Sequence, residues 1–551
     1  MTETIDDRDD GRGDAGDAAE TSAPRLSEAT GPDVPAVREL TLGDLLEEAA
    51  GAAPDQLALF GTRDPRRWTY AELLADAQAL ARVLQRRYEP GERVAIWGQN
   101  VPEWVVAEFA VAVAGLVVVT VNPNFTDDEA AYVLSQSHAC GVIASSAYRG
   151  RDLAAISTEL QARCPTVREI IELQALDALV AAGRSIDDEL RTVGPDDLVM
   201  IQYTSGTTGF PKGAMLHHRG IANNGHHTMD RNGVRSGDAL LGVMPLFHTG
   251  GSVLAVLGAV AIRGTLVLVE EFEPGHVLDV MEEHRVTAML GVPTMLLAML
   301  EHPTYGSRDL SSVRVITSGG STVPAPMVQR FESELGAPFT IVFGQTEMSP
   351  VATMTRPDDT IEDKAGTLGQ PMPWVEVKLV DASGATVPIG EPGEFCARGY
   401  LTMLGYHEMP EATAETIDAD GWLHSGDLCT MDERGYCSIV GRLKDMIIRG
   451  GENIYPREIE DCLFRHDAVA DVAVVGLPDE RWGEVVAAFV RPAAGTAPTV
   501  AELRTWTRDH LAAHKTPVHW LRVEEFPLTG SGKVQKFRLV EQWASGDVTP
   551  L

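Results

Sequence analysis

Between residues 93 and 121 the chain reads as an apolar strand, a helix and a second apolar strand. Residues 93–97 are RVAIW, residues 102–114 open on a proline and stay largely apolar, and residues 116–121 are LVVVTV. Runs this uniformly apolar are buried on both faces. A strand–helix–strand unit of this kind closes as parallel neighbours with the helix packed on the sheet. The same alternation predicts strands near residues 140–145, 167–173, 198–203, 240–244, 266–270, 288–291, 313–318 and 339–343. The expected fold class is α/β, with several parallel sheet segments flanked by helices.

Near residue 374 the texture changes to short strands separated by turn signals, such as DASG at 381–384 and DERG at 432–435. A charged stretch, GRLKD at 441–445, then precedes a smaller α+β segment. That segment carries a helix near 456–464 and strands near 471–476 and 485–491. A domain boundary is expected at the charged stretch, because 551 residues exceed the roughly 250–300 that one core supports. Residues 1–35 are rich in Asp, Gly, Ala and Thr. They have too little apolar surface to offset ordering entropy and are expected to form a disordered acidic tail.

The 45 Lys and Arg against 80 Asp and Glu give a formal charge of −35. That balance excludes a general nucleic-acid binder, which needs a basic face. It also requires any polyanionic substrate to be met by a local cluster of cations and N–H donors. The six cysteines include no C-x-x-C pair, so reduced thiols in a cytoplasmic protein are expected. No signal peptide is evident, and the longest apolar stretches are interrupted by Glu or Gly, so no integral membrane association is expected.

The segment with the most chemical content is YTSGTTGFPKG, residues 203–213. It follows an apolar run and precedes a helix expected from His217. Glycines allow close backbone approach, hydroxyls and N–H groups can donate to oxygens, and a lysine ends the loop. This is a composition for cradling phosphates, although the Walker A spacing is absent. The loop resembles the signature of the adenylate-forming superfamily, which includes acyl-CoA synthetases, luciferases and adenylation domains of peptide synthetases. Six further segments resemble that family's motifs in order: MPLFHTGG (244–251), SGGSTVP (318–324), FGQTEMSP (343–350), GWLHSGDL (421–428), GRLKDMIIRGGENIYPREIE (441–460) and PLTGSGKVQK (527–536). The match runs from about residue 40 to the end.

The resemblance implies a large N-terminal domain of several subdomains, 36–441, including a small β-barrel-like part. It also implies a hinge at 442–446 centred on Lys444, and a small mobile α+β C-terminal domain, 447–551. It places Thr204, Ser205, Gly206, Thr207, Thr208, Gly209 and Lys212 around the phosphates of ATP. Gly319, Gly320 and Ser321 would lie beside the adenine with Phe343, Gly344, Gln345 and Thr346. Asp427 and Arg442 would hold the ribose. His248, Gly250, Gly251 and Met348 would line the acyl pocket, and Gly450 and Gly451 would let the pantetheine arm of coenzyme A pass. Lys533, Thr346, Glu347 and His248 are the catalytic candidates.

These assignments suit the side chains. Glu347 is a hard carboxylate able to hold Mg²⁺. Asp427 offers acceptors only, which fits two ribose hydroxyls. Arg442 is a permanently charged fork. Lys533 is a point charge on a flexible stem, able to reach an α-phosphate oxygen. The pairs His217–His218 and His226–His227 have no evident carboxylate or thiol partner and read as structural rather than metal-binding. The implied activity is ATP-dependent ligation of a carboxylic acid to coenzyme A through an acyl-adenylate. The small or apolar pocket residues favour a medium- or long-chain fatty acid. Alternatives are an aryl acid, transfer to an acyl carrier protein in place of free coenzyme A, and a non-catalytic protein that binds acyl-adenylate or ATP.

Replacing Lys533 by Ala is expected to slow adenylation by about 10²–10³. Thioester formation from supplied acyl-adenylate should be largely spared. Lys444→Pro, which fixes φ at the hinge, should do the reverse. Single-turnover assays of each half-reaction test both, and equal losses in the two half-reactions would refute this division of labour.

Overall fold

The computed structural model describes residues 25–551, apart from residues 64, 205–210, 322, 451 and 529–533. Among the described residues the strands form sheets of seven, nine, five and six strands. In the seven-stranded sheet, Leu198–Thr204, Val117–Val121, Arg93–Trp97, Ala139–Ala144 and Glu169–Glu172 run parallel. Every residue of Val117–Val121 is buried, which is why its sequence is continuously apolar rather than alternating. Helix Pro102–Val113 connects two of these strands and is itself buried on nearly every side. In the nine-stranded sheet, Leu57–Gly61, Thr265–Leu268, Ala239–Gly242, Ala288–Leu290, Val315–Gly319 and Phe339–Gly344 are parallel. Antiparallel strands flank them at both edges.

The turn-rich part after residue 374 is the five-stranded sheet. It runs antiparallel through Glu28–Thr30, Val375–Val380, Gly393–Gly399, Leu423–Met431 and Cys437–Arg442. Its last strand ends at Arg442. The six-stranded sheet starts at Ile447, with residues 443–446 between them. Its centre is the long pair Val469–Asp479 and Gly483–Pro492, covered by helix Pro456–Phe464. All six cysteines are buried and free. Among the described residues no helix is long and apolar enough to cross a membrane.

One expectation needs correction. Residues 25–35 do not belong to a disordered tail, because Glu28–Thr30 pairs with Val375–Val380. The order comes from backbone bonding to an available edge rather than from apolar burial. Ser27 is fully buried and its Oγ donates to the Pro388 carbonyl (2.9 Å). Residues 1–24 lie outside the described residues. The helix expected from His217 is present, with His217 as its N-cap. Strand Lys212–His217 comes first, antiparallel to Leu198–Thr204, and the helix is His218–Arg231.

A Cβ on Gly31 would lie 1.8 Å from the Met372 carbonyl oxygen. Gly31→Ala should therefore detach the N-terminal strand and cost about 1–3 kcal/mol, read as a lower unfolding midpoint by calorimetry. An unchanged midpoint would show that the strand adds nothing.

Candidate active site

The strand pairing Leu198–Thr204 with Lys212–His217 sets Thr204 opposite Lys212. The two ends of the glycine-rich segment are thus held side by side at the sheet edge. Ser205, Gly206, Thr207, Thr208 and Gly209 lie outside the described residues. A short strand, Gly405–Tyr406, adds to the far side of Lys212–His217. This pairing brings Tyr406 under Lys212, whose Nζ stands 4.9 Å from the ring centroid. Tyr406 is buried, and its hydroxyl donates to Glu347 Oε1 (2.7 Å). Burial, and then the Glu347 charge, push the Tyr406 hydroxyl pKa far above its ordinary value. It therefore stays a donor to that carboxylate at all working pH. The backbone adds a second tie, from Met403 N–H to the Glu347 carbonyl (3.0 Å).

Glu347 sits with Thr346 and Met348 in a single 3-10 turn directly after strand Phe339–Gly344. Thr346 and Glu347 are both 8% exposed. Met348 is fully buried in the main core with Val351 and Ala352. Gly344 is required by packing, since a Cβ there would lie 2.0 Å from the Pro350 carbonyl oxygen. Gly319 faces Val342 in the neighbouring parallel strand, with 2.4 Å available between a Cβ and the Val342 oxygen. Gly320 follows at φ +77°, turning the chain and Ser321 away from the sheet. The Phe343 ring meets Phe395 edge-on at 5.1 Å.

Gln345 joins this segment to strand Leu423–Met431. Its Nε2 donates to the Ser425 carbonyl (2.8 Å) and to Asp427 Oδ2 (3.1 Å). Asp427 is 2% exposed and pairs across the sheet with Arg442, whose Nε donates to Oδ1 (2.7 Å). Two residues on, burial and then the Arg442 charge hold the Lys444 ammonium below its ordinary pKa.

The segment 244–251 is fixed by two amides from the seven-stranded region. Asn100 Nδ2 donates to the Met244 carbonyl (2.9 Å), its Oδ1 accepts from Leu246 N–H (2.9 Å), and Gln202 Nε2 donates to the Phe247 carbonyl. His248 is half-buried, and its Nδ1 accepts the Gly250 N–H (3.1 Å). Gly250 and Gly251 open a wholly buried π-helical stretch, Gly250–Leu257. A Cβ on Gly251 would lie 2.2 Å from the Pro245 carbonyl oxygen.

On the C-terminal side, Gly450 has φ +60° and its N–H donates to the Trp482 carbonyl (2.7 Å). Arg449 and Arg481 both lie over the half-exposed Trp482 ring. Gly451 and Lys533 lie outside the described residues. Leu528 and Val534, which bracket Lys533 in the sequence, form an isolated antiparallel bridge.

Three of the paired histidines, His217, His218 and His227, have structural partners. His217 Nδ1 caps helix His218–Arg231, His218 accepts the Leu42 N–H, and His227 meets Tyr400. Burial drops the His218 and His227 pKa values to about 4. Tyr406, Asn100 and Gln202 were not identified from sequence. A two-residue strand has no periodicity to read, and a lone amide in an apolar stretch does not reveal which distant carbonyl it meets.

Comparison with known proteins identifies the family. The AMP-binding enzyme family model matches residues 46–407, and the model of the AMP-binding enzyme C-terminal domain matches residues 458–533. The Bacillus subtilis protein YngI is 38% identical over 531 residues, covering 91% of this chain and 97% of its own. The mitochondrial medium-chain acyl-CoA ligase ACSF2 of Rattus norvegicus is 35% identical, covering 91% and 87%. ATP-bound MatB from Rhodopseudomonas palustris superposes with a TM-score of 0.82 at 30% identity, covering 92% of this chain and 99% of its own. The chain belongs to the AMP-binding enzyme family, within the acyl-CoA synthetases of the adenylate-forming superfamily.

Proposed function

We propose that the acid activated here is a medium- or long-chain fatty acid, and that the residues gathered around Glu347 and Asp427 carry its adenylation. The chain is an ATP-dependent, AMP-forming acid–CoA ligase. The observation that carries the fatty-acid reading is the stretch from Met244 to Ile262. It contains no Asp, Glu, Lys or Arg, and its helical part is wholly buried. An α-amino group would need a carboxylate partner there. The medium-chain activity in the name of the ACSF2 relative is consistent with this reading.

In the first half-reaction a carboxylate oxygen of the acid attacks the α-phosphorus, and the bond to pyrophosphate breaks. In the second, the thiolate of coenzyme A attacks the acyl carbon and AMP leaves. Lys212 and the hydroxyls of 204–208 would face the phosphates. Asp427 and Arg442 would hold the ribose, and Gly319, Gly320 and Phe343 the adenine. Glu347 fits Mg²⁺, because it is a hard carboxylate whose orientation Tyr406 fixes through Oε1. When bound, Mg²⁺ supplies charge neutralisation for the phosphates. Thr346 would donate to a substrate or phosphate oxygen. Lys533 would stabilise the adenylation transition state. Rotation about Lys444 would then replace it with the Gly450–Gly451 face for thioester formation.

Coenzyme A-dependent AMP and pyrophosphate release, measured from butyrate to stearate with benzoate and cinnamate alongside, tests the substrate reading. The expected result is strong turnover on the straight chains. A benzoate or cinnamate preference would overturn it, and pyrophosphate without thioester would make a carrier protein the acceptor. Tyr406→Phe keeps the ring under Lys212 and removes the bond to Glu347. A hydrogen bond to a charged group is worth about 1.5–3 kcal/mol. The variant should therefore lose about 10–100-fold in adenylation kcat/KM and need more Mg²⁺ for half-maximal rate. An unchanged Mg²⁺ dependence would remove Glu347 from the metal role.

A further inference from the structure

A cluster of metal-ligating side chains stands beside the residues just described. His138, His407 and Glu408 each direct one donor atom into a common space, with all three atoms within 4.8 Å of one another. His138 Nε2 is 2.9 Å from Glu408 Oε2. The His138 and His407 rings meet edge-on at 5.9 Å between centroids. His407 Nε2 is buried and makes no hydrogen bond. Two of the three residues hold left-handed backbone, with φ of +51° at His138 and +53° at Glu408. Glu in that region is uncommon and carries a conformational cost.

We propose that His138, His407 and Glu408 form a binding site for a divalent transition-metal ion of the zinc class, separate from the Mg²⁺ of the ATP site. Two imidazoles and one carboxylate, with a fourth position open to water, make a donor set that zinc takes in tetrahedral geometry. Mg²⁺ prefers oxygen ligands and is poorly served here. The Arg93 charge acts on His407 and Glu408, while its guanidinium donates to the Ser137 and Gly91 carbonyls (2.9 and 3.4 Å). A second cluster, Glu394, Cys396 and His424, is a weaker candidate. There Glu394 already accepts from Gly426 N–H (3.0 Å) and lies 2.8 Å from His424 Nδ1. Burial, and then the Glu394 charge, hold the Cys396 thiol in its protonated form.

The position of the first cluster gives it a structural consequence. His138 follows helix Asp127–Gln136, and His407 follows Tyr406. The two segments are already tied by Gln136 Nε2 to the His407 carbonyl (2.7 Å) and by His407 N–H to the Gly213 carbonyl (2.8 Å). Tyr132, on the same helix, donates to the Pro211 carbonyl (3.1 Å). A bound ion would cross-link that helix to the strand beneath Lys212, and so stabilise the native state by mass action.

Equilibrium dialysis of the full chain against buffered Zn²⁺ tests this, with a calorimetric scan beside it. One tightly bound Zn²⁺ and a raised unfolding midpoint are expected. Glu408→Gln and His138→Gln alter accessible side chains, and each should weaken binding at least about tenfold and abolish the midpoint shift. Circular dichroism would confirm that both variants fold. Co²⁺ in place of Zn²⁺ should give visible ligand-field bands without sulfur-to-cobalt charge transfer. No uptake by the wild type, equal uptake by both variants, or a charge-transfer band that places the ion on Cys396 would each overturn the proposal.

Discussion

A carboxylate that is almost buried needs a donor fixed against it. At Glu347 that donor is the Tyr406 hydroxyl, and much of the site follows from how Tyr406 comes to be there. It arrives on a two-residue strand that extends the Lys212–His217 edge. That edge exists because the chain doubles back after Thr204 rather than continuing into a helix. The same pairing sets the aromatic face beneath Lys212. An aromatic face attracts an ammonium and adds no opposing charge.

The second constraint is the Asp427–Arg442 pair. These residues face each other across adjacent strands, and Gln345 braces the same carboxylate. Strand Leu423–Met431, the segment bearing Glu347 and the end of the five-stranded sheet are therefore one hydrogen-bonded unit. Residues 443–446 begin where that unit stops. A rotation about Lys444 would leave Asp427, Gln345 and Glu347 undisturbed, because their mutual bonds all lie on the N-terminal side.

The parallel strands were legible in the sequence for a physical reason. Arg93–Trp97, Val117–Val121 and Ala139–Ala144 are sandwiched between helices, so nearly every position must be apolar. Helix Pro456–Phe464 was legible because a proline opens it and its apolar residues recur on one face. Glu28–Thr30 was not, since a strand held by its backbone at a sheet edge leaves no mark in its side chains. Lys212–His217 reads poorly because its burial does not alternate. At the site, motif identity named Glu347, Asp427 and Arg442. It did not reveal that Gln345 bonds Asp427 or that Tyr406 bonds Glu347, because those contacts join residues 82 and 59 positions apart. Local pattern has no access to such separations.

A net charge of −35 sets the final problem, since both ATP and coenzyme A are polyanions. Each must be met by local cations against an unfavourable overall field. On the nucleotide side, Arg442 already faces the Asp427 carboxylate, which cancels much of its reach toward phosphate. Lys212 places an ammonium over the Tyr406 ring that holds Glu347. A cation brought in by the C-terminal region would matter more in such a site than in a basic protein, where background charge would dilute its effect. On the other side, Arg449 and Arg481 gather at Trp482, next to Gly450. The two cationic centres thus sit on opposite sides of residues 443–446. In an acidic enzyme, keeping such centres apart limits the like-charge repulsion between them.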